Sequence, residues 1–237
     1  MKHRLFLFDL DDTLLDFKAS EALSFARTLE ALGVRDDAGV SIDALFARYQ
    51  PINLALWRAL EAGAVTKDAL KVERFRHTFE AAGLDLDPVR ASGLYLDALA
   101  DSVVLIDGAL ALCETLAGIG EVGIITNGIE AIQHRRIASA GLHAHVSFVA
   151  TSEACGHAKP DSRFFDYTVA MARAFNKHET VIVGDRLDAD ILGANRFGID
   201  SVWFNPERLA NESQAVPDHE VAHLDQIIPA LRAAVRT

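Results

Sequence analysis

The strand pattern at residues 4–8 (RLFLF) is separated from every other strand pattern of the chain by a long segment without strand character. From about residue 18 to residue 100, apolar residues recur only with helical spacing. Strand patterns then alternate with helical ones, at residues 121–126, 147–151, 180–185 and 200–204. Such alternation favours a parallel sheet with helices on both faces. The sequence therefore predicts an α/β fold, in which a Rossmann-like three-layer core is interrupted by an inserted helical bundle.

The predicted core comprises residues 1–16 and 101–237, and the predicted helical domain comprises residues 17–100. The helical pattern at residues 18–33 ends at Gly33, a residue type that often terminates helices. Further helical patterns follow at residues 41–50, 51–63, 66–83 and 86–100, and Pro opens the second of these. Four or five short helices joined by short loops predict a bundle.

The charge balance and the cysteine content limit the partners and the compartment. The 237-residue chain has a formal net charge of −11, which argues against the basic face that binds a nucleic-acid polymer. A small anionic substrate is compatible, because a metal ion or a few cations can dominate one pocket. Cys113 and Cys155 are the only cysteines, and no apolar run is long enough for a signal peptide or a membrane span. We therefore expect a cytoplasmic protein that binds neither nucleic acid polymers nor membranes.

Chemically active side chains follow the predicted strands, at the edge where open α/β sheets bind ligands. This set comprises Asp9, Asp11, Thr126, Lys159, Asp185 and Asp190. Crowded carboxylates repel and raise one another's pKa, so a cluster of them indicates either a solvated turn or a positive partner. Asp12 and Asp16, in the same stretch, are typical turn or capping residues.

Four motifs, in this order, resemble those of the haloacid dehalogenase superfamily. They are FDLDDTL from residue 8, GIITNG from residue 123, AKPD from residue 158 and GDRLDAD from residue 184. The resemblance extends through the whole predicted core. The insertion after the first strand is similar to the helical cap of one branch of that superfamily.

The resemblance implies a role for each motif residue. Asp9 would attack phosphorus and form an aspartyl phosphate, and Asp11 would protonate the leaving oxygen and then activate water. Mg²⁺ would be the cofactor, bound by Asp9, Asp185 and the backbone carbonyl of Asp11, with Asp190 orienting a water or a ligand. The implied phosphate-binding residues are Thr126, Asn127 and Lys159. Dehalogenases lack an acid at the position of Asp11, so its presence favours phosphoryl transfer.

The helical segment also resembles the cap of noncanonical pyrimidine 5′-nucleotidases. The similarity rests on spaced residues between Tyr49 and Phe75, and on the core pattern I-I-T-N-G-I-E-A-I-Q-x-x-R at residues 124–136. It implies that the substrate is a small phosphorylated metabolite, in particular a pyrimidine nucleoside 5′-monophosphate. Candidate substrate contacts are Asn53, Trp57 and Arg186, although Trp57 also has the spacing of a bundle-core residue.

Other functions share parts of this pattern. A phosphatase or mutase of a sugar phosphate or of phosphoglycolate would have the same motifs, and the fold cannot separate these substrates. A phospho-acceptor signalling domain also combines acidic residues, a Thr and a Lys on a parallel sheet, but it would be shorter and would lack the helical insertion. A non-enzymatic relative is disfavoured because all four motifs are intact. Nothing in the sequence predicts the oligomeric state.

Overall fold

In a computed structural model of the chain, residues 1–35 and 41–233 are described. Residues 36–40 of the predicted helical domain and residues 234–237 of the predicted core lie outside the described residues. Within the described ranges, no helix is both long enough and apolar enough to cross a membrane.

The chain folds as two compact units. We call Met1–Phe17 together with Val104–Thr237 the sheet unit, and Lys18–Val103 the helical unit. The assignment of the sheet unit as a catalytic core, and of the helical unit as a cap, stays a prediction from the sequence.

The chain leaves and re-enters the sheet unit at two neighbouring backbone segments. The N–H of Asp16 donates to the C=O of Val104 at 2.9 Å. The N–H of Ile106 donates to the C=O of Leu14 at 3.0 Å. The two junctions of the inserted segment are therefore hydrogen-bonded to each other within the sheet unit.

The sheet unit contains a six-stranded sheet in which all neighbouring strands are parallel. Its strands are β1 (Leu5–Phe8), β2 (Glu121–Thr126), β3 (Phe148–Thr151), β4 (Thr180–Gly184), β5 (Asp200–Phe204) and β6 (His219–Val221). They lie in the order β3-β2-β1-β4-β5-β6, which confirms the predicted parallel α/β fold. The sequence did not predict β6, because its three residues include only one apolar side chain.

The helical unit is built from four described helices. They are α1 (Phe17–Ala31), α2 (Ile42–Glu61), α3 (Lys67–Ala82) and α4 (Pro88–Asp101). The predicted break between two helices at Pro51 is wrong, because α2 continues through this residue. Pro51 is exposed, whereas Leu45, Tyr49 and Asn53 on the same helix are buried. Burial of that face on both sides of the proline offsets the backbone hydrogen bond that proline cannot donate.

Helices pack on the sheet and bury its central strands. The helices of the sheet unit are α5 (Ala109–Ala117), α6 (Glu130–Ser139), α7 (Ser152–Cys155), α8 (Ser162–Met171), α9 (Leu192–Phe197) and α10 (Ile227–Ala233). Phe165 of α8 stacks on Phe197 of α9 with ring centroids 5.5 Å apart, in a cluster that includes Leu7 and Ile182 of the sheet. No residue of β1 is more than 2% exposed. The central strands are thus buried by packing, as is typical of parallel sheets.

Candidate active site

The carboxyl ends of the three central strands meet at one edge of the sheet. Phe8 of β1 pairs with Ile124 of β2 and with Val183 of β4. The backbone N–H of Asp9 donates to the C=O of Val183 at 2.9 Å. Asp9 therefore lies where β1 ends, next to the two strands that carry other predicted site residues.

Lys159 joins two buried carboxylates at this edge. Its Nζ donates to the carboxylate of Asp9, to Oδ1 of Asp190 at 2.7 Å and to the C=O of Ile125 at 3.0 Å. Lys159 is 5% exposed, Asp9 7% and Asp190 0%. Each of the three ammonium hydrogens has an acceptor, so the positive charge is fixed beside Asp9.

Asp185 completes a cluster of three carboxylates. One oxygen from each of Asp9, Asp185 and Asp190 lies within 4.8 Å of the others. Thr13 Oγ1 donates to Oδ1 of Asp185 at 3.3 Å. Carboxylate oxygens are the ligands that Mg²⁺ prefers, and one lysine does not neutralise three carboxylates. The donor set therefore fits a divalent cation held by Asp9 and Asp185, with Asp190 directed to Lys159.

Burial and mutual repulsion raise the pKa values of Asp185 and Asp9. Burial raises the pKa of Asp185 to about 9, and the charges of Asp9 and Asp190 add to the effect. Burial raises the pKa of Asp9 to about 7, although Lys159 opposes the shift. Burial lowers the pKa of Lys159, but Asp190 and Asp9 outweigh it and raise that pKa overall. Without a cation, Lys159 is therefore charged at neutral pH and Asp185 keeps its proton.

A family model matches the part of the chain that contains this cluster. The family model of haloacid dehalogenase-like hydrolases matches residues 3–198, a range that contains all the cluster residues. The chain belongs to this family. The predicted membership is confirmed.

Relatives of this hydrolase match it over nearly its whole length. It is 33% identical to the HAD-hydrolase YfnB of Bacillus subtilis, over 95% of this chain and 94% of that protein. It is 36% identical to the pyrimidine 5′-nucleotidase PynA of Streptococcus pneumoniae (98% and 96% covered). It is 29% identical to the pyrimidine 5′-nucleotidase YjjG of Escherichia coli (96% and 97% covered). The crystal structure of YfnB bound to magnesium matches with a TM-score of 0.87 at 32% identity, covering 98% of this chain and 99% of that one.

In this hydrolase, Asp190 is held by the turn that follows β4. The turn is π-helical from Leu187 to Ile191. The N–H of Arg186 donates to Oδ2 of Asp190 at 3.1 Å. A Cβ atom on Gly184 would lie under 3.0 Å from the Asp190 carboxyl group. The glycine of the GD motif is thus required for the close approach of Asp190 to β4.

Gly184→Ala is expected to lower the free energy of unfolding by about 1–3 kcal/mol and to weaken cation binding, because the methyl group displaces Asp190. Gly93→Ala is a matched control, since Gly93 is exposed in α4 and its added Cβ would meet no neighbouring atom within 4 Å. Alanine at that helical position is expected to stabilise the protein by about 0.5–1 kcal/mol. Urea denaturation measures the free energy of unfolding of both variants, and equal values for the two would contradict the expectation.

Asn127 connects the end of β2 to the loop that carries Lys159. Its Nδ2 donates to the C=O of Lys159 at 3.1 Å, and the N–H of Lys159 donates to its Oδ1 at 3.0 Å. Ser152 Oγ donates to the C=O of Asn127 at 3.2 Å. The side chain of Asn127 therefore positions the lysine loop, and its contact with phosphate through the backbone amide stays a prediction.

Two residues of α6 that received no role from the sequence contact Asp11. They are Gln133 and Arg136, and both bind its carboxylate. Polar helix residues are usually exposed, so neither stood out as a site residue. Their spacing was the available signal, because it places them on one helix face with Ile132 and Ile137, and all four are buried.

The predicted substrate contacts occupy separate local environments. Asn53 is buried in the helical unit, where its Nδ2 donates to Oε1 of Glu21 at 2.8 Å. Trp57 is half-buried on the same helix, α2. Nε and Nη2 of Arg186 donate to the Asp188 carboxylate at 3.0 and 2.8 Å. Contact of these residues with a substrate stays a prediction.

Proposed function

We propose that this hydrolase is a Mg²⁺-dependent phosphatase that cleaves a small phosphomonoester through an aspartyl phosphate on Asp9. The observation that carries the proposal is the buried cluster in which Lys159 binds Asp9 and Asp190, with an Asp185 oxygen within 4.8 Å of theirs. This cluster combines a nucleophilic oxygen, a fixed positive charge and ligands for a divalent cation. In this proposal the sheet unit is the catalytic core and the helical unit is the cap.

The proposed reaction has two steps. A carboxylate oxygen of Asp9 attacks phosphorus, and the bond from phosphorus to the ester oxygen breaks as that oxygen takes a proton from Asp11. A water molecule then attacks the phosphorus of the aspartyl phosphate and returns a proton to Asp11. The bond between Asp9 and phosphorus breaks, which releases inorganic phosphate and regenerates both carboxyl groups. The balance is one ester and one water consumed, and one alcohol and one phosphate formed.

Fixed polar groups of the chain would stabilise the transferred phosphoryl group. Lys159 places its positive charge beside the carboxylate of Asp9, which would receive the negatively charged phosphoryl group. Thr126 Oγ1 accepts from the N–H of Gly128 at 3.0 Å and from Nε2 of Gln133 at 2.9 Å. Its own hydrogen is therefore left to donate to a phosphoryl oxygen. Mg²⁺, when bound by Asp9 and Asp185, supplies a Lewis acid for the phosphoryl oxygens.

The substrate we propose is a pyrimidine nucleoside 5′-monophosphate. Two relatives that support this choice, PynA and YjjG, are pyrimidine 5′-nucleotidases with 36% and 29% identity to this chain. Asn53 would recognise a polar edge of the base, since its buried Oδ1 has no hydrogen-bond partner among the residues that the structure describes. Trp57 would contact the ring of the base, and Arg186 would contact the phosphate or the sugar.

The cellular setting we propose is the cytoplasm. Cys113 and Cys155 are free thiols, which fits a reducing compartment. The small phosphorylated metabolite is the partner that the proposed chemistry requires.

A phosphate-release screen tests this function. The panel contains UMP, dUMP, CMP, AMP, sugar phosphates and phosphoglycolate, each with Mg²⁺ or with EDTA. We expect Mg²⁺-dependent turnover that is fastest with the pyrimidine nucleotides. Faster turnover of a sugar phosphate or of phosphoglycolate would replace the substrate class but keep the chemistry. A stable aspartyl phosphate without turnover would instead indicate a signalling domain.

A further inference from the structure

The carboxylate of Asp11 is held by two side chains of α6. Gln133 Nε2 donates to Asp11 Oδ2 at 2.7 Å, and Arg136 Nη1 forms an ion pair with Asp11 Oδ1. Arg136 Nη1 also donates to Gln133 Oε1 at 2.9 Å, which fixes the two side chains relative to each other. Arg136 is 1% exposed and Gln133 2%, whereas the Asp11 side chain is 30% exposed. The partly exposed carboxylate is therefore oriented from its buried side.

The amide of Gln133 also links Asp11 to the proposed phosphate-binding hydroxyl. Its Nε2 donates to Thr126 Oγ1 at 2.9 Å as well as to Asp11. A Cβ atom on Gly128 would lie under 3.0 Å from the Gln133 side chain. Gly128 is thus required, because any larger residue would displace the amide group of Gln133. One side chain fixes both the group that would bind phosphate and the group that would move the proton.

Arg136 is an unfavourable choice for stability alone. Its Nε and Nη2 are buried and have no hydrogen-bond partner within residues 1–35 and 41–233. Its guanidinium carbon lies 5.4 Å from the centre of the Phe17 ring. Buried donors without acceptors destabilise a fold, and an ion pair with a partly exposed carboxylate compensates little. What Arg136 provides at this position is a fixed orientation of the Asp11 carboxylate.

We propose that Arg136 and Gln133 are positioning residues that hold the Asp11 carboxyl group in the orientation that delivers a proton to the leaving oxygen. This inference rests on the proposed phosphatase function. A rigid ion pair and an amide leave the Asp11 side chain few alternative rotamers, and proton transfer depends on such geometry. Loss of either contact should therefore affect the step in which the leaving oxygen is protonated.

Two substrates that differ in their leaving group test this proposal. The alkoxide that leaves UMP needs a proton, whereas p-nitrophenolate leaves without one. In single-turnover measurements, Arg136→Met and Gln133→Leu are expected to slow the release of uridine from UMP by about 10²-fold and the release of p-nitrophenolate from p-nitrophenyl phosphate by about fivefold or less. The KM for UMP should stay within about twofold in Arg136→Met, because Arg136 holds Asp11 and Gln133 but not the proposed phosphate-binding hydroxyl of Thr126. Arg135→Met is the matched control, since Arg135 is an exposed neighbour on α6, and it should leave both rates unchanged.

Further variants separate positioning from folding. Arg136→Lys should recover part of the UMP rate, because it retains a charge beside Asp11. In an Asp11→Ala background, Arg136→Met should leave the ratio of the two rates unchanged, since no acid remains to be oriented. The melting temperature of Arg136→Met should equal or exceed that of the wild type, because the unpaired buried donors are removed.

The outcomes distinguish this inference from the proposed function. Equal losses on the two substrates, or unchanged rates on both, would show that Arg136 and Gln133 do not position the acid. An unchanged ratio together with a lowered melting temperature would assign them a structural role only. If the wild type hydrolyses neither ester, the proposed function itself fails.

Discussion

Replacement of Asp9 by asparagine is expected to abolish phosphate release, with kcat lowered by at least about 10⁴-fold. Asparagine keeps the shape of the side chain and can still accept a hydrogen bond from Lys159. It removes the anionic oxygen that would attack phosphorus and one ligand of the proposed cation. The effect should appear in kcat for every substrate that the wild type accepts, because the missing group forms the covalent intermediate.

Asp12→Asn provides a control for the loss of one negative charge in the same loop. Asp12 has a φ of 57°, a conformation that asparagine tolerates. Its Oδ1 accepts from the N–H of Phe17 at 3.0 Å, and an asparagine oxygen can do the same. We expect kcat within about twofold of the wild type for this control. Residual activity above about 1% in Asp9→Asn, with a native circular dichroism spectrum, would refute Asp9 as the nucleophile.

Mg²⁺ binding is expected to release about one proton per ion at pH 8 and up to about two at pH 6, and its dissociation constant should fall at least about tenfold for each pH unit between these values. The reason is the raised pKa of both proposed ligands, about 9 for Asp185 and about 7 for Asp9, because each carboxylate must lose its proton before it can bind the ion. Chelation with EDTA should abolish phosphate release. Titration calorimetry in two buffers of different ionisation enthalpy measures the released proton.

The raised pKa of Asp185 also makes the stability of the metal-free protein depend on pH. The raised pKa of Asp185 stabilises the metal-free fold below the ordinary carboxyl pKa, and this contribution is lost as the pH rises towards about 9. The gain in melting temperature on adding Mg²⁺ should therefore be larger at pH 8 than at pH 6. Asp185→Asn should remove the proton release at pH 8 and the gain, whereas Asp188→Asn, at an exposed position of the same motif, should retain them. A Mg²⁺ affinity that is independent of pH would contradict the assignment of Asp185 as a ligand.

The convergence of Asp9, Lys159 and Asp185 could be predicted because parallel strands end at a common edge of the sheet. The spacing of apolar runs was enough to place β1 to β5, and each predicted side chain lies at the end of one of these strands or in the loop that follows it. The cluster in the structure follows from this order. The partners of Asp190 could not be predicted from the sequence. They depend on a π-helical turn and on the space that is free because residue 184 is a glycine.

Other features escaped prediction because packing overrode local preference. Proline usually interrupts a helix, yet the buried face of α2 continues on both sides of Pro51. β6 carries one apolar residue and is recognisable only from its pairing with β5. Gln133 and Arg136 are polar residue types that usually lie on the exposed face of an amphipathic helix, but in the structure both bind the carboxylate of Asp11. The pairing of β6 and the contacts of Asp11 depend on residues that are distant in sequence, although the spacing of Gln133 and Arg136 placed them on the buried face of α6.

The hydrogen bonds between Asp16 and Val104 and between Leu14 and Ile106 make the insertion point a closed junction of the sheet unit. A segment attached through such a junction can be exchanged for a shorter or longer one without shifting β1. Loop-closure entropy opposes this only weakly, since doubling the inserted length costs about 0.6 kcal/mol. The carboxylates and the lysine can thus be inherited unchanged while the inserted segment diverges. This modularity offers a route by which one phosphoryl-transfer centre can acquire different substrate preferences.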